Sequence, residues 1–321
     1  MTPVMTTVEK QDALSVRDLI ADGDLTRRDL ELIFQLTERV KASPGSFARA
    51  LEGKQLAMIF EKPSLRTRVT FEVGMTSMGG FAVYLEHAKP RLGERESIKD
   101  VARNLERWVH GIVARTFSHA SVQELAEHAS IPVINALTDS FHPCQALADL
   151  YTLGEKLGRL RGLKLAFVGD GNNVCHSLMV SAAKFGVSVN VATPPGFDPK
   201  SEIVDEAKAI GRKTGAKIHI FHDPVEAVAG VQAVYTDVWA SMGQEYAAHL
   251  RAQVFAPYRV TEEMMEVAGD ALFMHCLPAH RGQEVTDAVI DSPRSIVYDQ
   301  AENRLHVQKA LLLLLMQDGR A

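Results

Sequence analysis

The sequence predicts an α/β protein of two domains, each built on a parallel sheet flanked by helices. Short apolar runs alternate with stretches of helical spacing, the pattern of strands joined by helical crossovers. The alternation occurs in two successive series, separated by the helical stretch Gln145 to Lys156 and the segment Gly158 to Gly162. At 321 residues the chain is long for one domain and comfortable for two. The main boundary falls near residue 150, dividing 1–150 from 151–301, and the last helix, 302–321, has the choice of packing on either half.

In the first series, Thr26 to Lys41 carries apolar residues at Leu30, Ile33, Phe34, Leu36 and Val40, with Thr26 placed to cap and Asp29 three residues on. Gln55 to Phe60 is a short apolar run entering a proline-containing loop, and Arg66 to Met78 again has helical spacing. Ile112 to Arg115 and Pro132 to Asn135 predict strands on either side of a helical stretch, Ser121 to Ala129. The second series consists of Leu163–Val168, Val187–Ala192, Ala216–Phe221, Ala233–Thr236 and Leu272–Cys276.

Composition excludes several classes of function. With 46% hydrophobic and 23% charged residues, the chain can bury a sizeable core and is not of the disordered class. A net charge of −5 without a long basic run argues against nucleic acid as the main partner. The longest apolar run, Ala310 to Met316, is far short of the roughly 20 residues of a bilayer span, so it predicts a buried C-terminal helix and no membrane. Met1 to Lys10 has no charged start followed by an apolar stretch, so no secretory signal is expected. Cys144, Cys175 and Cys276 are scattered and odd in number, which fits a reducing cytoplasm better than a disulfide framework or a Cys-x-x-Cys metal site.

Five strand-end segments carry candidate chemistry. Phe60-Glu61-Lys62-Pro63-Ser64-Leu65-Arg66-Thr67-Arg68 leaves a strand and opens a helix, bringing free N–H groups, hydroxyls and two arginines to one place that suits a phosphate. An ordinary capped helix with solvated arginines is the plainer alternative. His142-Pro143-Cys144-Gln145 projects from a loop, where a neutral histidine and an amide could hold a carbonyl or amide group. Gly169-Asp170-Gly171-Asn172-Asn173 invites a dinucleotide reading and fails it twice. Position 174 is valine rather than glycine, and the next strand closes in Ala192-Thr193-Pro194 without a carboxylate. What remains is a helix N-terminus with two amides, able to hold a carboxylate. Asp237 with Ser241, beside Met242 and Gly243, could bind an ammonium group, or could belong to a loop around a buried Trp239. His275-Cys276-Leu277-Pro278 offers a thiol that is either reactive or a core residue, with His275 expected on the opposite strand face.

Taken together these segments closely resemble the ornithine carbamoyltransferases. The resemblance covers essentially the whole chain and keeps one order: Ser64 to Arg68, Arg115-Thr116, His142-Pro143-x-Gln145, Gly169 to Asn173, Asp237-x-Trp239-x-Ser241-Met242-Gly243, His275 to Pro278, and Ala301-Glu302-Asn303-Arg304. It implies that the C-terminal helix crosses back to the first domain and that the chain assembles as a homotrimer, with no metal or organic cofactor. It also implies that carbamoyl phosphate is held by Ser64, Leu65, Arg66, Thr67, Arg115, His142, Gln145, Cys276, Leu277 and Arg304. The amino-acid substrate, L-ornithine, would be held by Asn173, Asp237, Ser241 and Met242. On this reading Arg115, Thr67 and His142 polarise the carbonyl, Arg66 and Arg304 neutralise the phosphate, and Asp237 with Cys276 orients the amine for direct attack.

Two positions depart from the family pattern. Leu65 stands where many members carry threonine, and Arg91 stands where bacterial members often carry glutamine. The loop His87 to Ser97 resembles one that reaches a neighbouring subunit's site, so Arg91 is expected to contact the phosphate there. Aspartate, acetylornithine and putrescine are rival acceptors, and a nicotinamide oxidoreductase and a non-catalytic binding subunit are rival classes.

Overall fold

A computed structural model describes residues 13–86, 89–240 and 248–316. The chain divides into two compact units, Met1–Leu147 with Asn303–Ala321, and Ala148–Glu302. Each is built on one parallel sheet, as the alternation predicts.

The first unit opens with α1 (Arg27–Ala42). Its capping box forms as expected: Thr26 Oγ1 accepts from Asp29 N, and the Asp29 carboxylate accepts from Thr26 N at 2.8 Å. There follow β1 (Gln55–Phe60), α2 (Leu65–Ser77), β2 (Phe81–Glu86), α3 (Ile98–Leu105), β3 (Gly111–Arg115), α4 (His119–His128), β4 (Val133–Leu137) and the start of α5 (Pro143–Leu157). The sheet order is β2-β1-β3-β4. Apolar residues from both layers form the core on one face: Ile59, Ile112 and Ala114 meet Ile98 and Ala102 of α3 and Val122 and Leu125 of α4.

Among the described residues, β2 is the strand that the sequence analysis does not contain. It is an edge strand, with Phe81 63% exposed, so its residues lack the buried alternation that marks a half-covered strand.

The C-terminal helix, α12 (Val297–Leu315), begins five residues before the expected Glu302. Burial explains the difference, because Val297 and Gln300 are already inside and the Gln300 side chain accepts from His275 N. From Asn303 onward α12 packs on the first unit. Lys41 of α1 donates to Asn303 at 2.9 Å, and Gly74 of α2 faces Lys309 and Leu312 of α12. The leucines from Leu311 to Leu315 are buried, each contributing roughly 1.5–3 kcal/mol relative to exposure.

The second unit holds β5 (Lys164–Val168), α6 (Asn173–Phe185), β6 (Ser188–Ala192), α7 (Ser201–Thr214), β7 (Ile218–Phe221), α8 (Pro224–Val228), β8 (Ala233–Thr236), α9 (Ala248–Phe255), α10 (Glu262–Val267), β9 (Leu272–His275) and α11 (Asp287–Ile290). Its sheet order is β7-β6-β5-β8-β9. A buried carboxylate ties three of these elements to the rear of the sheet. Asp149 of α5 accepts from Tyr235 Oη of β8 at 2.9 Å and from Gln300 Nε2 of α12 at 2.8 Å.

Gly171 shows why glycine stands after β5 in a chain that fails the dinucleotide pattern. A Cβ there would lie 2.3 Å from Pro199 N and 2.6 Å from Phe197 O, both backbone atoms. The glycine permits two loops to touch, with Gly171 N donating to Phe197 O at 3.0 Å. Gly171→Ala should therefore destabilise the protein by about 1–3 kcal/mol, read as a lower midpoint in thermal unfolding followed by circular dichroism.

Candidate functional site

In the first unit the pairing register sets which residues share an edge. Phe60 pairs with Arg115 across β1 and β3, and Arg115 pairs with Leu137 across β3 and β4. The segments Glu61–Thr67, Arg115–Phe117 and Thr138–Gln145 therefore leave the sheet at its C-terminal edge, where open α/β sheets place ligands.

Ser64 caps α2, its hydroxyl accepting from Thr67 N at 3.3 Å, so the amides of the first turn face the loop. Thr67 is buried and accepts from Arg304 Nη2 at 3.0 Å, while Arg304 Nη1 donates to Gln145 Oε1. Arg304 thus links α12, α2 and α5. Arg115 and His142 are also buried. Burial and the charges of Arg304, Arg115 and Lys62 hold His142 well below the ordinary histidine range, so its imidazole is neutral. Arg66 lies half-buried in the same first turn, and Leu65 is 74% exposed.

Several side-chain placements in this cluster lie beyond what the sequence specifies. Arg68, grouped there with Arg66, turns away to pair with Glu72 at 3.1 Å and to cover the Tyr84 ring at 3.8 Å. Arg91 lies over the Phe117 ring of its own chain, its guanidinium carbon 4.3 Å from the centroid. Lys62, absent from the expected site, lies over the same ring with Nζ 4.5 Å from the centroid. Burial, with Arg115 and Arg91 adding repulsion, lowers Lys62 to about 8 against the pull of Asp139 and Glu61. Glu61 also belongs to this cluster: it accepts from Leu92 N at 3.0 Å and from Phe117 N at 2.7 Å, fixing both segments. Burial pushes the Cys144 thiol up to about 12, so it is a core residue and no nucleophile.

The second unit carries a different cluster on the matching edge of its own sheet. Val168 pairs with Thr236, and Thr236 with His275, so Asp170, Asp237 and Cys276 follow strand ends in register. Asp237 is buried and three donors meet its carboxylate. Oδ2 accepts from Asn172 Nδ2 at 2.7 Å, and Oδ1 accepts from Val238 N at 2.8 Å and from the Cys276 thiol at 2.9 Å. Asn172 thus joins the site by donating to Asp237, while the Asn173 side chain accepts from Val174 N at 3.0 Å. The signal for Asn172 was its position as N-cap of α6, which turns its amide back to the strand ends. Trp239 is buried, as the loop reading allowed, while Ser241 and Met242 lie outside the described residues.

His275 and Cys276 do not fall on opposite faces. Strand β9 ends at His275, and the chain turns at Leu277 with φ 56°, a left-handed conformation uncommon for leucine. Polar atoms of Asp237, His275 and Cys276 consequently lie within 4.8 Å of one another, a spacing open to a metal ion. The imidazole is committed elsewhere. Nδ1 accepts from Leu277 N at 2.8 Å, which leaves the proton on Nε2 to be donated to Glu284 Oε1 at 3.2 Å. With both nitrogens engaged, His275 supports the turn and is a poor metal ligand.

Among the described residues no helix is long and apolar enough to cross a membrane. Two family descriptions match the chain in order: the carbamoyl-P binding domain of aspartate/ornithine carbamoyltransferase over residues 17–155, and its Asp/Orn binding domain over residues 161–315. The ornithine carbamoyltransferase of Thermococcus kodakarensis is 52% identical over 95% of this chain and 98% of its own length. That of Anoxybacillus flavithermus is 52% identical over 94% and 98%. The solved structure of the Pyrococcus furiosus ornithine carbamoyltransferase superimposes with a TM-score of 0.93 at 49% identity, covering 96% of this chain and 99% of that one. With both halves matched in order and half the residues shared across nearly the whole length, the chain belongs to the aspartate/ornithine carbamoyltransferase family.

Proposed function

We propose that this protein transfers the carbamoyl group of carbamoyl phosphate to the side-chain amine of L-ornithine, giving L-citrulline and phosphate, within arginine metabolism. The observation that carries the reading is the set of buried cations around neutral His142 at the capped start of α2. Such a place suits a dianion bearing a carbonyl. The names of the relatives support ornithine as acceptor, and one, from Pyrococcus furiosus, is called anabolic, which supports the biosynthetic direction.

The chemistry follows from the charges. Amides of Ser64, Leu65, Arg66 and Thr67, with the Arg66 and Arg304 guanidinium groups, take the phosphate oxygens. Arg115, Thr67 and His142 donate to the carbamoyl oxygen, and Gln145 holds the amide. A neutral imidazole suits this task, because it can donate without adding a charge to a site already rich in cations. Asp237 receives the ornithine ammonium beside Cys276, Asn173, Ser241 and Met242, and eases loss of its proton. The freed nitrogen lone pair forms the C–N bond while the carbonyl electrons move to oxygen. Collapse of the tetrahedral intermediate then breaks the C–O bond, and phosphate leaves with that electron pair and takes up the proton that the attacking nitrogen sheds.

Assembly as a homotrimer, with Arg91 reaching a neighbour's phosphate, extends this proposal. Its support is apolar surface beside the site: Leu65, Val69 and Val73 of α2 are 74%, 44% and 45% exposed at helical spacing, next to Phe81 on the edge strand. Light scattering that reported a monomer would remove it. Free thiols at Cys144, Cys175 and Cys276 support a cytoplasmic setting.

Incubation with carbamoyl phosphate and each candidate amine should yield carbamoylated product from ornithine alone; absence of citrulline would overturn the assignment. Arg66→Ala should lower kcat/KM at least about tenfold, within the usual effect of removing a donor from developing charge. Lys62 is a cation below about 8 and neutral above it. The KM for carbamoyl phosphate should therefore climb as the pH is raised through that value, and Lys62→Arg should flatten the climb.

A further inference from the structure

Asp170 lies in a strand-end motif, yet neither substrate reading uses it. It is mostly buried and pairs with Arg251 of α9, whose Nη2 donates to Asp170 Oδ2. The same guanidinium donates from Nε to the carbonyl of Trp239, two residues beyond Asp237. Two aromatic rings in edge-on contact with each other pack beside it, with the guanidinium carbon 4.8 Å from the Phe197 centroid and 5.0 Å from that of Phe255. Trp239 stacks on Phe255 at 6.0 Å, and Phe197 belongs to the loop that touches Gly171. One buried cation thus joins the ends of β5 and β8 to α9.

This arrangement acts on Asp237 from one side. Asn172, Cys276 and Val238 N hold the Asp237 carboxylate directly, but none of these bonds reaches the backbone as far as Trp239. Arg251 does so at the Trp239 carbonyl, and Asp170 supplies the charge that keeps Arg251 there. We propose that Asp170 is a positioning residue for ornithine recognition: acting through Arg251 and Trp239, it sets the orientation of Asp237 and so tunes affinity for the amine. The inference rests on the reading of Asp237 as the ammonium-binding carboxylate.

The charge of Asp170 is conditional. Burial raises its carboxyl to about 6, with Arg251 pulling it down and Asp237 adding to the rise. The ionisable groups around it among the described residues are Arg251 from α9, Asp237 from the end of β8 and Cys175 from α6, whose own thiol burial pushes far up. Asp170 is ionised above about 6 and becomes neutral as the pH falls through that value, so the hold on Arg251 weakens on the acid side.

The test compares steady-state KM values for ornithine and for carbamoyl phosphate in the wild type and Asp170→Asn across pH 5 to 8.5. Ornithine's own ionisation is common to both proteins, so the ratio of their KM values isolates Asp170. At pH 8 the variant should show an ornithine KM about tenfold higher with the carbamoyl phosphate KM unchanged, a size expected of a displaced binding group. The ratio should fall toward one near pH 5, where the wild type has lost the same charge. An ornithine KM equal to wild type at pH 8, a ratio that ignores pH, or an equal rise in both KM values would each overturn the inference. Should Asp170→Asn fail to fold, Arg251→Lys keeps the charge but cannot bridge two acceptors, and an unchanged ornithine KM in it would overturn the inference equally. A wild type that forms no citrulline would instead strike the functional reading on which this one stands.

Discussion

Parallel pairing is the constraint on which the rest of this structure depends. When every strand of a sheet runs the same way, every strand ends on the same edge, and helices must carry the chain back outside the sheet. The register then decides which side chains become neighbours. Phe60, Arg115 and Leu137 end together in one sheet, and Val168, Thr236 and His275 in the other. Residues separated by scores of positions in sequence become neighbours without any loop having to be long.

The two edges solve opposite electrostatic problems. In the first unit buried cations crowd a histidine and keep it neutral, and Lys62 is held near the point of losing its charge. Counter-charge to Lys62 comes from Asp139 and the buried Glu61. In the second unit a buried carboxylate collects three donors, one each from an asparagine cap, the backbone and a thiol. Cations without an equal count of carboxylates favour a dianion, whereas a buried carboxylate met by neutral donors favours an ammonium group.

Much of the fold was legible because hydrophobic period and strand-end punctuation are local. The capping box at Thr26, the run Gln55–Phe60 and the strands from Leu163 to His275 are all written in consecutive residues. Edge strand β2 was not, since an exposed edge has no reason to alternate, and the start of α12 was missed because Gln300 is recruited by His275 from a distant strand. For the site, the contributing segments were legible and the directions of their side chains were not. Arg68 turns to Glu72, Asn172 reaches Asp237, and the turn at Leu277 brings Cys276 to the side of His275. Each outcome depends on a partner far away in sequence, which spacing alone does not encode.

The placement of Arg304 has a consequence for the order in which the molecule can be completed. Its partners Thr67 and Gln145 are 237 and 159 residues upstream, and the unit they belong to also includes Asn303 onward. A chain emerging from the ribosome at about 5–20 residues per second therefore waits many seconds with its first sheet made and the cationic cluster lacking its central arginine. The second unit, begun later, is uninterrupted and has all its residues sooner. Birth order and completion order are thus reversed, and the cationic cluster is completed only as α12 docks.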